Sequence, residues 1–346
     1  MAAKPMRVVF INPGHADMNN PTGQFWPEAS RFASAVAGNL NINLEILHAN
    51  RDHIRMRNMV REVLERDTKP HYLLLVNERF ALSPLFEEID KAEIPFFLAF
   101  NHYSKQLSRA QPQPRVQHRY WLGALVPDNV YAGYRLAQIL IENSNRTPAH
   151  ILAYSGDTVT SASLLRIRGL HRALSEYPDA RLTRLVPGEW RYDIPEKRTG
   201  EFLKRYPDIN RIWAANGAMG LGAIMSTEKS NAMSRVRIAS INWDAEEITA
   251  LEQRRLYASV GGHFMTAGWS LIMLYDYHHG RDFINDGGAY QQRKIFEALT
   301  RDTIKDYLPV VRTRDWASQS FKSLTKTHNP ERTKYQFNLS TLLANQ

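Results

Sequence analysis

The chain has 346 residues, 43% of them apolar, with 44 Lys and Arg against 35 Asp and Glu and no cysteine, which is enough length and apolar matter for two cored domains. The absence of cysteine excludes disulfide frameworks, thiolate metal centres and cysteine nucleophiles. The formal charge of +9 is dispersed, with Arg55, Arg57, Arg61 and Arg66 interleaved with Glu62, Glu65 and Asp67, so it describes a solvated basic surface and not a nucleic-acid arm.

The first apolar run, Arg7 to Ile11, follows Met1 to Pro5 without the charged, apolar and cleavage regions of a signal peptide. The chain is therefore expected to be cytoplasmic, or a mature form whose export signal is replaced. Further runs at Leu44 to Leu47, Tyr72 to Val76 and Pro95 to Phe100 are almost continuously apolar, as strands covered on both faces are. None approaches the roughly 20 residues that cross a bilayer. Between them Ala29, Phe32, Ala33, Val36, Ala37 and Leu40 form a helical stripe, and Met56, Met59, Val60, Val63 and Leu64 form another. Asp128 stands where it can cap a third helix carrying Gly133, Leu136, Ala137, Leu140 and Ile141. The alternation restarts after Asn145 to Pro148, with runs at His150 to Tyr154, Leu182 to Val186, Arg211 to Ala215 and Val236 to Ile241. This pattern predicts an α/β fold of two doubly wound parallel-sheet, Rossmann-like lobes.

Ligands of open parallel sheets bind beyond the carboxyl ends of the strands, and five runs end on asparagine: Asn12, Asn77, Asn101, Asn216 and Asn242. An uncharged amide with two donors and an acceptor suits neutral hydroxyls better than a metal or acid–base chemistry, although asparagine also ends strands by bonding its own backbone. Phe25, Trp26, Trp190 and Trp243 lie in companion loops, where their faces can stack on an apolar ring or simply pack a core. Arg166 and Arg168 open a helix of the second half, one expected to face the cleft, where a planar guanidinium clamps oxygen atoms.

Enzyme motifs are not supported. The glycines at 217, 220 and 222 lack the dinucleotide order, and no Walker sequence or nucleophile elbow is present. His278 and His279 are adjacent, so they cannot share one helix face as metal ligands, and Glu246 and Glu247 suit a helix first turn. No cofactor and no metal are expected.

The chain resembles the type I periplasmic solute-binding proteins of sugar ABC transporters, including ribose-binding and autoinducer-binding members. The resemblance rests on the aromatic pair after the first strand, Trp121 to Asn129 with Gly133, Arg166 to Gly169, Ala214 to Asn216 with Gly222, Ser240 to Asn242, and Tyr257 to His263 with Gly268. It implies a periplasmic, non-enzymatic receptor, monomeric by default. The receptor would close by hinge motion on a sugar, polyol or sugar acid and serve a membrane permease or a sensor kinase, with no nucleic-acid partner. One lobe would comprise residues 1–126 and about 263–300, the other 127–262 and about 301–346, with irregular packing across both lobes left open for the tail after Pro309. Crossovers are expected near 126–128, 261–263 and 296–309. The resemblance carries aromatic stacking onto Phe25, Trp26 and Trp190, and polar contacts onto Asn101, Arg166, Asn216 and Asn242. Sugar-binding members commonly have aspartate where Asn101 and Asn242 stand, and a polar side chain where Gly262 stands, for which His263 substitutes. The loop from Pro13 to Gln24 is longer than usual.

Two other readings remain open. A sugar-responsive DNA-binding regulator requires a helix-turn-helix before the first strand, and that strand begins by residue 6. An enzyme requires titratable groups converging on the cleft, for which His15, His102, His263, Asp157 and Asp244 are the candidates.

Overall fold

The structure, a computed structural model, describes residues 5–104, 113–142 and 148–344; Asn145 to Thr147 of the restart signal lie outside the described residues. The first half contains β1 (Met6–Asn12), α1 (Phe25–Asn39), β2 (Ile42–His48), α2 (His53–Leu64), β3 (Tyr72–Leu75), α3 (Phe86–Lys91), β4 (Phe96–Ala99) and β5 (Trp121–Pro127). Next come α4 (Asn129–Glu142), β6 (His150–Ser155), α5 (Ser161–Glu176), β7 (Arg181–Pro187), α6 (Asp193–Arg205), β8 (Arg211–Ala214), α7 (Gly217–Lys229), β9 (Arg237–Asn242), α8 (Ala245–Glu252) and β10 (Ala258–Gly261). The chain ends with α9 (Thr266–His278), β11 (Tyr290–Arg293), β12 (Glu297–Thr300), α10 (Ile304–Thr313) and α11 (Leu339–Ala344).

These strands form two six-stranded sheets, ordered β11-β5-β4-β3-β1-β2 and β12-β10-β9-β8-β6-β7. All pairings are parallel except β12 against β10. The apolar runs are explained by cover on both faces. Val8 and Phe10 of β1 join Phe32 and Val36 of α1, while Val9 and Ile11 join Met56, Val60 and Val63 of α2. Each such side chain contributes roughly 1.5–3 kcal/mol on burial. The helix starts also follow local chemistry: Asp52 accepts from the N–H groups of Ile54 and Arg55, and Asp128 Oδ1 accepts from Tyr131 N at 3.0 Å.

In the second lobe α4 and α5 touch backbone to backbone. A Cβ on Gly133 would lie 2.0 Å from the Arg166 carbonyl oxygen, and one on Gly169 would lie 2.1 Å from that of Val130. Glycine at both positions thus fixes where α5 carries Arg166.

Three segments join the lobes: β5 to α4, β10 to α9, and β11 to β12. Asp128 N bonds the Arg293 carbonyl at 2.8 Å, tying the first of these to the third. The chain beyond 301 departs from the expected boundary. Helix α10 does lie by the second lobe, where Arg312 pairs with Glu252, but the chain then returns to the first. Trp316 and Phe321 pack edge-on against Phe32, and Asn39 Oδ1 accepts from Phe321 N at 3.0 Å. The fully buried Asp276 carboxylate of α9 accepts from Lys326 N (2.8 Å), Thr327 N (2.8 Å), Thr327 Oγ1 (2.7 Å) and Tyr335 Oη (2.8 Å). A single carboxylate therefore gathers the returning tail, which no hydrophobic period announces.

Candidate functional site

Because the parallel strands of both sheets direct their carboxyl ends toward one another, the residues that follow them meet in a cleft. The cleft lies between the two lobes and draws its lining from both of them. Phe25, Trp26, Asn101, Arg166, Trp190, Asn216, Asn242 and His263 all line it.

Trp190 enters from the loop after β7 with φ of 62°, preceded by Glu189 at 51°. Left-handed backbone costs about 1–3 kcal/mol per non-glycine residue and persists only where surroundings enforce it. Here the indole lies across Gly156, whose Cβ would sit 2.1 Å from the ring. Its Nε1 donates to Asp157 Oδ2 at 3.0 Å, and Asn216 Nδ2 donates to the Trp190 carbonyl at 3.0 Å. Asp157 Oδ1 also accepts from Val159 N at 2.8 Å and Thr160 N at 2.6 Å, and Oδ2 accepts from the Thr160 hydroxyl. Burial pushes this carboxyl up, but the Thr160, Val159 and Trp190 hydrogen bonds outweigh it and hold the pKa below the usual range. On the first lobe Trp26 packs edge-on against Phe25 and Phe100, with centroids 5.0 and 5.1 Å away.

Arg166 is 4% exposed. Its Nε donates to Asn129 Oδ1 (2.9 Å), Nη1 to the Ala215 carbonyl (2.5 Å) and Nη2 to His263 Nε2 (2.9 Å). No carboxylate lies within ion-pair distance of it among the described residues. Burial lowers its pKa to about 9, so it remains a cation at neutral pH. A guanidinium has only hydrogens to give, so His263 Nε2 is an acceptor and the imidazole proton resides on Nδ1. That Nδ1 is buried without a hydrogen-bond partner among the described residues. Burial and then Arg166 hold His263 well below the ordinary histidine pKa, leaving a neutral donor at the cleft. Phe25 and Phe296 flank the ring, with centroids 4.6 and 4.4 Å away.

The asparagines divide into two groups. Asn101 Oδ1 accepts from Ser161 Oγ at 3.0 Å across the lobes, Asn216 caps α7 by accepting from Met219 N at 2.9 Å, and Asn242 Nδ2 reaches Asp244 Oδ2 at 3.4 Å. Asn12 and Asn77 stay outside the lining: Asn12 bonds Gly14 N at 2.9 Å, and Asn77 bonds Ser83, the carbonyls of His102 and Tyr103, and Leu82 N. Trp243 is likewise structural, its buried indole donating to the Ser259 carbonyl at 3.0 Å.

Several lining residues were not anticipated. Arg51 and Glu78, from the segments after β2 and β3, form a 2.5 Å ion pair at the cleft, while Glu78 Oε2 is buried without a hydrogen bond. Glu78 immediately follows a strand-ending asparagine, and that adjacency was its one sequence signal. Asn129, which orients Arg166, follows Asp128 in the same way. Of the titratable candidates, Asp157 holds the turn before α5 through Val159 N and Thr160 N and Asp244 shares a capping box with Glu247; His15 and His102 are not in the lining.

The lobes are closed. Tyr192 N bonds the Pro21 carbonyl at 3.0 Å and Ala245 N bonds Gln24 Oε1 at 3.2 Å, so the long loop after β1 reaches the second lobe. Asn20 shapes that loop, donating to the carbonyls of Asp17 (2.7 Å) and Gly23 (2.8 Å) and accepting from Thr22 N (3.0 Å) and Oγ1 (2.7 Å). Arg314, at the end of α10, pairs with Glu28 of α1 at 2.9 Å and bonds the Trp243 carbonyl.

Comparison with known proteins gives a consistent result. Residues 18–280 match the family model described as a periplasmic binding protein domain. A periplasmic sugar-binding protein from Pseudomonas fluorescens is 32% identical in its crystal structure and superposes with a TM-score of 0.87, over 98% of this chain and 99% of that one. Two curated relatives match more locally. The HTH-type transcriptional regulator CelR of Thermobifida fusca is 27% identical over 46% of this chain. The xylitol-binding protein of Mycolicibacterium smegmatis (strain ATCC 700084 / mc(2)155) is 25% identical over 31% of it. The chain spans only 43% and 31% of those relatives' own lengths.

Proposed function

The chain belongs to the periplasmic binding protein domain family, and on that premise we propose that it captures a neutral sugar or sugar alcohol between its lobes and delivers it to a membrane permease. The observation that carries this reading is the convergence of aromatic faces and mostly uncharged polar groups, with the Arg166 guanidinium among them, on one closed cleft. Trp26 and Trp190, from opposite lobes, supply ring faces for the apolar side of a sugar. Asn101, Asn216, Asn242 and the His263 Nδ1–H supply donors and acceptors suited to hydroxyls. Arg166 adds charge-assisted donors, and Glu78 supplies a carboxylate acceptor that the asparagine strand ends lack. The names of the Pseudomonas and Mycolicibacterium relatives support a sugar or polyol. The family's periplasmic location supports an encounter with the permease in the periplasm.

The test is thermal unfolding against pentoses, hexoses, sugar alcohols and sugar acids, with duplex DNA as a counter-ligand. A ligand at about 100 times its Kd stabilises by about 2.7 kcal/mol. The expected result is a selective upward shift with a neutral polyol, lost in Trp190→Ala and in Arg166→Met. A shift with sugar acids alone would refute the neutral ligand, and a salt-sensitive shift with DNA alone would refute the receptor.

A further inference from the structure

A second concavity lies at the other end of the second sheet. It is open to solvent and is lined by twelve residues, among them Arg211, Arg235, Arg237, Arg254, Arg255 and Arg301, and none is acidic. Arg211 opens β8, Arg237 opens β9, and Arg301 directly follows the antiparallel β12, so the pocket sits at the amino ends of the parallel strands. Strand β9 spans the lobe from Arg237 here to Asn242 in the cleft, about 17 Å at ~3.3 Å per residue. The two sites are therefore separate.

Several of these guanidinium groups are oriented by main-chain carbonyls. Arg255 binds Glu228 through Nε at 2.6 Å and Nη2 at 2.7 Å. Arg211 is 5% exposed, and its Nε and Nη1 donate to the carbonyls of Leu140 and Asn210, each at 2.9 Å. Arg235 binds the carbonyls of Pro207 and Ile209, and Arg301 that of Arg254. Arg237 lies 4.9 Å from the Tyr257 ring centroid. Carbonyl partners orient guanidinium groups without neutralising them, and confining like charges in a concavity is costly unless an anion enters. Burial, and then the Arg237 charge, push the Arg211 pKa below its ordinary value.

We propose that this arginine pocket is a binding site for a multiply charged phosphate group, whose tetrahedral oxygens accept from several planar guanidinium forks at once. A dispersed surface charge would place carboxylates between the arginines, as happens along α2. Here six arginines, of which Arg255 is paired with Glu228, line one hollow that has no acidic lining residue.

The proposal is tested on the full chain at about 150 mM salt, where surface attraction beyond roughly 8 Å is screened. Inorganic pyrophosphate is titrated by calorimetry, and vesicles containing phosphatidic acid, whose phosphomonoester headgroup carries up to two charges, are sedimented with the protein. Both are repeated on Arg254→Ser/Arg301→Ser, whose side chains are exposed, and on Arg301→Ser alone should the double variant fold poorly. Pyrophosphate affinity falling at least tenfold in the double variant, with cleft-ligand affinity unchanged, supports the site and a free phosphate ligand. A tenfold loss confined to vesicle binding supports the site and a lipid headgroup source. No binding of either probe, or binding indifferent to the substitutions, overturns the proposal.

Discussion

Replacing Asp157 by asparagine isolates the group that sets the attitude of Trp190. The wild-type carboxylate serves two purposes: Oδ1 accepts the Val159 and Thr160 N–H groups at the start of α5, and Oδ2 accepts the Trp190 indole N–H at 3.0 Å. An amide can keep the first by placing its oxygen there. Its NH2 then faces the indole N–H, donor against donor, and a buried orphan donor costs about 1–3 kcal/mol. Asp157→Asn is therefore expected to lower the free energy of unfolding in urea by about 1–3 kcal/mol. In Trp190→Phe, which has no indole N–H, the same change should cost less than about 1 kcal/mol, a coupling near 1–2 kcal/mol. Affinity for the cleft ligand should fall about 5–30-fold in Asp157→Asn for the same reason. The cycle needs four proteins and a urea titration of each. Equal costs of Asp157→Asn in both backgrounds, within about 0.5 kcal/mol, would show that the carboxylate does not hold the indole, and the account of Trp190 would fall. Because the folded pKa is depressed, this carboxylate's contribution is complete above the unfolded value and is lost as pH falls through the folded one, below the usual carboxylate range.

Other expectations follow from single contacts. Asp276→Asn leaves one oxygen for four donors, so it should lower stability by about 3–5 kcal/mol and expose the chain after residue 314 to limited proteolysis; uncut chain with unchanged stability would contradict the clasp. Gly169→Ala puts a methyl against the Val130 carbonyl and should cost about 3 kcal/mol or more, weakening ligand binding with it because α5 carries Arg166; a crystal structure with α4 and α5 unmoved would contradict it. Burial, then Arg168, lowers the His102 pKa to about 4. The unfolded histidine takes a proton below about 6.5 and the folded one does not, so stability present above about 6.5 declines by about 1.4 kcal/mol per pH unit down to about 4. His102→Gln should flatten that slope by about one proton in urea titrations at stepped pH, and an unaltered slope would refute it. Asn20→Ala removes the four bonds that shape the loop over the cleft, so stopped-flow ligand release should accelerate about tenfold with stability changed by less than about 1 kcal/mol; unchanged release would mean that the loop does not restrain the closed form.

Much of this architecture was legible because its signals are local. Near-continuous apolar runs and helical stripes report two-sided sheets wherever helices cover both faces, as α1 and α2 do around β1. The cleft was legible at strand ends for the same reason: Asn101, Asn216 and Asn242 follow strands that terminate there. Asn12 and Asn77 show the limit of that signal, since their side chains turn back to Gly14 and to the 82–103 segments, and no sequence spacing reveals which way an amide turns. Arg51 and Glu78 were missed because each depends on the other across two loops, and the left-handed Arg51 (φ 65°) that brings them together carries no glycine to mark it. The tail was misread because Asp276 holds it by hydrogen bonds from main-chain N–H groups, for which almost any residue serves. The arginine pocket was hidden by the even spread of charge along the chain: strand order assembles arginines that lie up to 90 positions apart.

The returning tail also has a consequence for the order in which the molecule can form. Phe32, near the amino end, finds its aromatic neighbours in Trp269, Trp316 and Phe321, and Asn39 meets the backbone of Phe321 across 282 positions. During synthesis the first sheet must therefore wait, its apolar surface incomplete, until nearly the whole polypeptide has emerged. Contacts of such separation slow the final collapse. The aromatic cluster around Phe32 is completed only once Trp316 and Phe321 have joined it.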